Sequence, residues 1–206
     1  MNALPDGVDS LDWQVGESIV IASTDFDSHH AEERKITSIT GLTIGLDAAL
    51  EFDHFAADQS FGSESISMRA EVGLMSRNIK FRGEAVSTQA NSYGAHIMLA
   101  GEGTKGKFSN MQLNDVGQAH KLGRYPIHFH MTGNVAGSYI KNNVIHSSNN
   151  RGITLHAVRK LRLESNVIYK NLGHSVFIED GIETDNEIIS NLVIDTRRTF
   201  SLLITD

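Results

Sequence analysis

Cysteine is absent from this 206-residue chain. Its absence excludes a disulfide scaffold, a thiolate-ligated zinc ribbon and thiol catalysis. It does not assign a compartment, because a large β-protein can live outside cells without cross-links. Proline is scarce, with 2 residues against 18 glycines. Positive charge is the minority: Lys+Arg number 18 against 25 Asp+Glu, for a net charge of −7. That balance argues against a nucleic-acid binder driven by bulk charge. No long apolar run occurs, so no membrane-spanning helix is expected. The N-terminus lacks a basic stretch followed by an apolar one, so no signal peptide is expected in these residues. No phosphate loop, dinucleotide fingerprint or nucleophile elbow is present. The length allows one large domain or two small ones, and roughly 70% of the unfolded surface can be buried without staples. The residue in excess is histidine, with 10 copies.

One short pattern repeats: an asparagine, an aliphatic residue, then a strand. It begins at Asn78, Asn110, Asn143, Asn166 and Asn191, at spacings of 32, 33, 23 and 25 residues. The last two spacings match one coil of a right-handed parallel β-helix, and the first two match a coil with a longer inserted loop. A second strand follows each asparagine, reaching Ile97, Phe129, Leu155, Ile178 and Leu203. An ordinary β-sandwich does not explain that second strand. Asparagines at one corner of successive coils can hydrogen-bond in a ladder. The pattern therefore predicts an all-β, pectate-lyase-like solenoid of about five coils over residues 63–206. Residues 1–62 lack the repeat. Leu11–Ala22 and Lys35–Leu50 alternate apolar and polar residues, which predicts a small region of antiparallel or edge strands. The best helix candidate, Ala31–Lys35, is too short to be stable alone, and a charged turn is its alternative.

Strand alternation assigns faces. In the segment Ile127–Met131, the three apolar residues are expected inward and His128 and His130 outward. The same parity turns Thr154 and His156 outward, then Phe177 and Glu179. Stacking by the asparagine register gives one outer column of Met98, His130, His156 and Glu179. A second holds His96, His128, Thr154 and Phe177. Asp180 follows Glu179 at the strand end.

Imidazoles with a carboxylate are a ligand set for a divalent metal, so His128, His130, His156 and Glu179 are candidate ligands of zinc or calcium. Without metal, Glu179, Asp180 and His156 can supply the acid and base of glycosidic chemistry. The neighbouring Glu183 and Asp185 add negative charge that favours a cation. Arg151 can grip a carboxylate of the protein or of a uronic acid. Arg124 and Tyr125 form a candidate sugar contact. Tyr125, Tyr139 and Trp13 can stack on sugar rings, although single aromatics in β-proteins usually pack in the core, and parity places His174 inward or in a turn. Basic residues gather at Arg151, Arg159, Lys160 and Arg162, which keeps a polyanionic ligand compatible with the net charge.

Four longer strings carry a resemblance. They are Arg69–Ile79, Gly123–Met131, Ser148–His156 and Gly173–Gly181. They resemble the family of the cell-migration-inducing hyaluronan-binding protein, its transmembrane hyaluronidase relative and the fibrocystin-like proteins. Residues 11–55, with Trp13, Gly16, Ala22-Ser23-Thr24 and Ala31-Glu32-Glu33, resemble the end of the eight-glycine domain that precedes the β-helix there. The resemblance implies an extracellular or cell-surface β-helix, part of a longer polypeptide, with polysaccharide, often hyaluronan, as ligand. It also implies endo-acting hyaluronan cleavage in some members. Two readings follow. One is a hyaluronidase-like glycoside hydrolase working at the His/Glu/Asp cluster. The other is a non-catalytic module that binds glycan or metal on the same surface.

Overall fold

The computed structural model describes residues 11–199, which divide into two compact units between Ser76 and Arg77. By packing, that division lies later than the pattern's boundary at residue 62. The reason is that strands on both sides of residue 62 belong with the first unit.

The first unit is an antiparallel sheet and a hairpin. Strands β1 (Ser18–Ile21), β2 (Glu32–Thr40), β3 (Thr43–Leu46), β4 (Asp58–Phe61), β5 (Glu64–Ser67) and β6 (Val72–Leu74) form it. The sheet order is β3-β2-β1-β6, and β4 pairs only with β5. Ile19, Ile21 and Ile36 make its core, with Trp13 packed against them. The segment Ala31–Lys35, the best helix candidate with a charged turn as its alternative, is neither: Glu32 through Lys35 pair across to β1 and start β2. Glu32 is buried there and holds a polar knot. It accepts from the Glu51 and Phe52 amides, from the Arg34 guanidinium and from the His54 ring at 3.0 Å. Burial alone would raise the Glu32 pKa; those amides, His54 and Arg34 outweigh it and pull it to about 2.

The second unit is the expected parallel β-helix. Its first coil comprises β7 (Ile79–Arg82), helix α1 (Ala85–Asn91), β8 (Ile97–Ala100) and β9 (Lys107–Ser109). The next comprises β10 (Met111–Asn114), β11 (Ile127–Asn134) and β12 (Tyr139–Lys141). Two shorter coils follow: β13 (Val144–His146), β14 (Ile153–Arg159) and β15 (Arg162–Glu164), then β16 (Val167–Tyr169), β17 (Val176–Ile178) and β18 (Glu187–Ile189). Strand β19 (Leu192–Ile194) begins another turn. The described residues thus complete four coils rather than five, and Leu203 lies outside them.

The coils build three parallel sheets, ordered β19-β16-β13-β10-β7, β17-β14-β11-β8 and β18-β15-β12-β9. Inside, like stacks on like. Leu99, Phe129, Leu155 and Ile178 form one column, and Phe108, Ile140, Leu163 and Ile188 another. Most of these fill a single core. Each fully buried aliphatic side chain contributes about 1.5–3 kcal/mol.

Three asparagines form the corner ladder. Asn143 Nδ2 donates to Asn166 Oδ1 at 3.1 Å, and Asn166 Nδ2 donates to Asn191 Oδ1 at 2.8 Å. Asn110 falls outside it. Met111 reaches Asn143 with its backbone N–H, so Asn110 stands one position earlier. It occupies the left-handed corner, φ 56°, that Asn142 fills in the next coil with φ 55°. Asparagine tolerates that conformation better than most residues, so the same residue type serves two different corners.

Candidate metal centre

The outer face of the β8–β11–β14–β17 sheet carries the histidines. Parallel pairing places His130 beside His156 and His128 beside Thr154, which in turn pairs with Phe177. The expected outer columns hold through these three coils. They fail at the first. Met98 pairs with His128 and Ala100 with His130, so β8 is displaced by two residues from the expected register. A two-residue slip preserves the inward face, and it leaves His96 outside the column. The inserted loop with α1 accounts for it, since asparagine spacing cannot count an insertion. Met131 is a second departure. It adopts φ 52° and is exposed, at a register shift in β11, instead of pointing inward.

His128 points to the outer side yet is only 2% exposed. Its cover is Tyr125, whose ring centroid lies 4.9 Å away, and the edge of His130 at 5.0 Å. Behind them, the Arg151 guanidinium is sandwiched between the Tyr125 ring at 4.5 Å and the Phe177 ring at 3.8 Å. Arg151 is therefore buried, while Arg124 is exposed and donates to His96 Nε2 at 2.7 Å.

The hydrogen bonds fix which nitrogens face the cluster. His128 Nδ1 lies 3.1 Å from the Gly123 carbonyl, which can only accept. Nδ1 therefore carries the proton, and Nε2 presents a lone pair. Gly123 makes this possible with φ +78°, where a Cβ would meet the Met98 methyl at 3.0 Å. Burial lowers the His128 pKa to about 4, against the Gly123 bond and with help from the charges of His130, His156 and Arg151. On the far side, His156 Nε2 lies 3.0 Å from Asp180 Oδ2. That carboxylate accepts, which turns the His156 Nδ1 lone pair inward.

The inward atoms converge. His130 Nδ1 and His156 Nδ1 are 2.9 Å apart. Glu179 Oε2 lies 3.6 Å from His156 Nδ1 and 3.9 Å from His128 Nε2. His128, His130 and His156 each offer a nitrogen within 4.8 Å of the others. His128 Nε2 and Glu179 Oε2 are buried without a hydrogen bond. Buried polar atoms left this way are costly unless something occupies the space between them. Three imidazole nitrogens with a carboxylate beside them suit a first-row divalent ion and are too nitrogen-rich for calcium. The Asp180–His156 bond is the outer-shell contact such a ligand needs.

Of the candidate residues, His128, His130, His156, Glu179 and Asp180 come together. Tyr125 and Arg151 form the wall behind them, and Arg124 lies with His96. His174 is exposed in a turn, against the Phe177 ring at 4.8 Å. Glu183 was anticipated only as negative charge. It accepts from the Ala157 amide at 2.8 Å and the Asp180 amide at 3.3 Å, and so fixes the turn that carries Asp180.

Fold and site together define a parallel β-helix with a histidine–carboxylate cluster on one outer sheet. The chain belongs to the CEMIP beta-helix family, whose model matches residues 92–206. It is 34% identical over 187 residues to a G8 domain-containing protein of Dictyostelium discoideum, covering 89% of this chain and 12% of that protein. It is 33% identical over 214 residues to a cell surface hyaluronidase of Danio rerio, covering 94% of this chain and 15% of the relative. To fibrocystin-L of Mus musculus it is 32% identical over 240 residues, covering 96% of this chain and 6% of that protein. The chain therefore corresponds to a domain-sized part of much longer relatives. Among the described residues, no helix is long and apolar enough to cross a membrane.

Proposed function

We propose that this chain is an extracellular or cell-surface polysaccharide-acting β-helix, with a divalent metal held by His128, His130, His156 and Glu179. The observation that carries the reading is the convergence of two orphaned buried atoms, His128 Nε2 and Glu179 Oε2, with the facing nitrogens of His130 and His156. Zinc fits this donor set better than calcium. When bound, such an ion supplies Lewis-acid polarisation and an activated water. The likeness to a cell surface hyaluronidase points to an acidic glycan such as hyaluronan as the ligand.

In the catalytic reading, water adds to an anomeric carbon while the glycosidic C–O bond breaks. The water's proton passes to the Asp180 carboxylate, which hands it to the departing oxygen. Arg124, at the exposed rim, meets a uronate carboxylate. Tyr125 and Arg151 support the cluster from behind. The non-catalytic alternative follows if Glu179 joins the three histidines as a fourth donor, which would close a tetrahedral structural site. In that case the ion fastens three coils together and the surface binds glycan without turnover.

Size-defined hyaluronan separates the two. Chain shortening by the wild type, lost with chelator and in His130→Ala and Glu179→Ala, supports the hydrolase. Binding without shortening under every metal supports the module. Absence of any bound divalent ion, with no effect of chelation, rejects the metal centre.

A further inference from the structure

A second feature lies on another part of the solenoid, at the corner that follows the first sheet. Four successive coils place Asp115, Ser147, Lys170 and Asp195 there, each in the left-handed conformation with φ 52–54°. Non-glycine residues in that conformation are disfavoured by roughly 1–2 kcal/mol each. Coil-to-coil bonds hold them: the Ser147 amide donates to Tyr169 O at 3.0 Å and the Lys170 amide to Ile194 O at 3.2 Å. The corner thus forms a fixed row with a rise of about 4.8 Å per coil.

Along this row runs an open groove of about 340 Å³, lined by Asp115, Ser147, Asn149, Lys170 and Arg197 among others. The groove is within the size range of a small-ligand site, roughly 300–1,000 Å³. Its wall sets hydroxyls, an amide and charged groups of both signs beside a larger apolar share that includes Leu172. The charges are unequal. Arg197 is matched by Asp195, whose Oδ2 accepts from its Nε and Nη2 at 3.2 and 3.1 Å. Asp115 accepts from the Asn114 amide at 2.7 Å. Lys170 lies 4.8 Å from the Tyr169 ring and pairs with no carboxylate among the described residues.

We propose that this groove is a binding site for an acidic oligosaccharide, separate from the histidine cluster, in which Lys170 receives the sugar carboxylate. Ser147 and Asn149 meet the ring hydroxyls. The elongated row across several coils suits a chain ligand laid along the solenoid axis. The choice of a glycan rests on the polysaccharide reading above; the location of the groove does not.

The test is calorimetric titration of the whole chain with a hyaluronan hexasaccharide and, as an uncharged comparison, chitohexaose. The proposal expects Lys170→Glu to weaken hyaluronan binding roughly tenfold or more, as loss of a charged contact does. Lys170→Arg should restore it, and the melting temperatures of both variants should match the wild type. His130→Ala should retain this binding even if it loses metal or cleavage. Wild-type affinity in Lys170→Glu would overturn the groove, as would no wild-type binding of the hexasaccharide. Loss of binding in His130→Ala alone would assign the ligand to the cluster instead.

Discussion

At the residue scale, the cluster depends on which nitrogen of each ring carries a proton. Asp180 sets this for His156 and the Gly123 carbonyl sets it for His128. Asp180→Asn should therefore lower metal affinity about 10–100-fold, the usual effect of losing an outer-shell partner. Zinc-competition titration reads this directly, and circular dichroism should show an unchanged fold. Gly123→Ala should act similarly, because φ +78° strains any side chain and the carbonyl it positions would move. Period-two alternation made His128, His130, His156 and Glu179 legible in the sequence, because parity survives in every strand that carries them. Met131 was not legible, because a left-handed residue breaks parity with no warning in composition. Nor was the stacking of Arg151 between Tyr125 and Phe177, which joins side chains from three coils.

At the element scale, the corner ladder is the main polar device of the solenoid. The Asn166 side chain donates to Ile140 O and Asn191 Oδ1, and accepts from the backbone and side chain of Asn143. Asn166→Ala should cost about 3 kcal/mol or more by urea unfolding, since buried partners lose their bonds. Asn110→Ala should cost about 1 kcal/mol, the price of a left-handed corner alone. Repetition of Asn-aliphatic pairs revealed the coils, but it could not separate ladder asparagines from corner ones. It also misplaced β8, because the spacing absorbed the α1 insertion as if it were strand. In the first unit, Glu32 has a folded pKa near 2 against 4.5 for the free side chain. Its contribution is full above about pH 4.5 and is lost as pH falls toward 2, because protonation discards bonds made only by the carboxylate. Glu32→Gln should be less stable at neutral pH and flat across that window, by thermal melts of the first unit's strand signal.

At the scale of the whole molecule, coil stacking does the work that cysteines do elsewhere. Parallel pairing carries each inward column across the coils, and the same pairing aligns outward histidines from separate strands into one cluster. The excess of histidine is thus partly an outcome of stacking: a residue type repeated at one register position becomes a site. The net charge is negative, yet cations stand locally, Arg124 beside His96 and Lys170 in the corner groove. The function proposed for the cluster requires that it hold a metal. Its most direct test is dialysis of the purified chain against zinc, followed by elemental analysis of wild type and His130→Ala. About one tightly held ion per wild-type chain is expected, with loss of that ion in the variant. Equal metal content in both proteins, or none in the wild type, would contradict it.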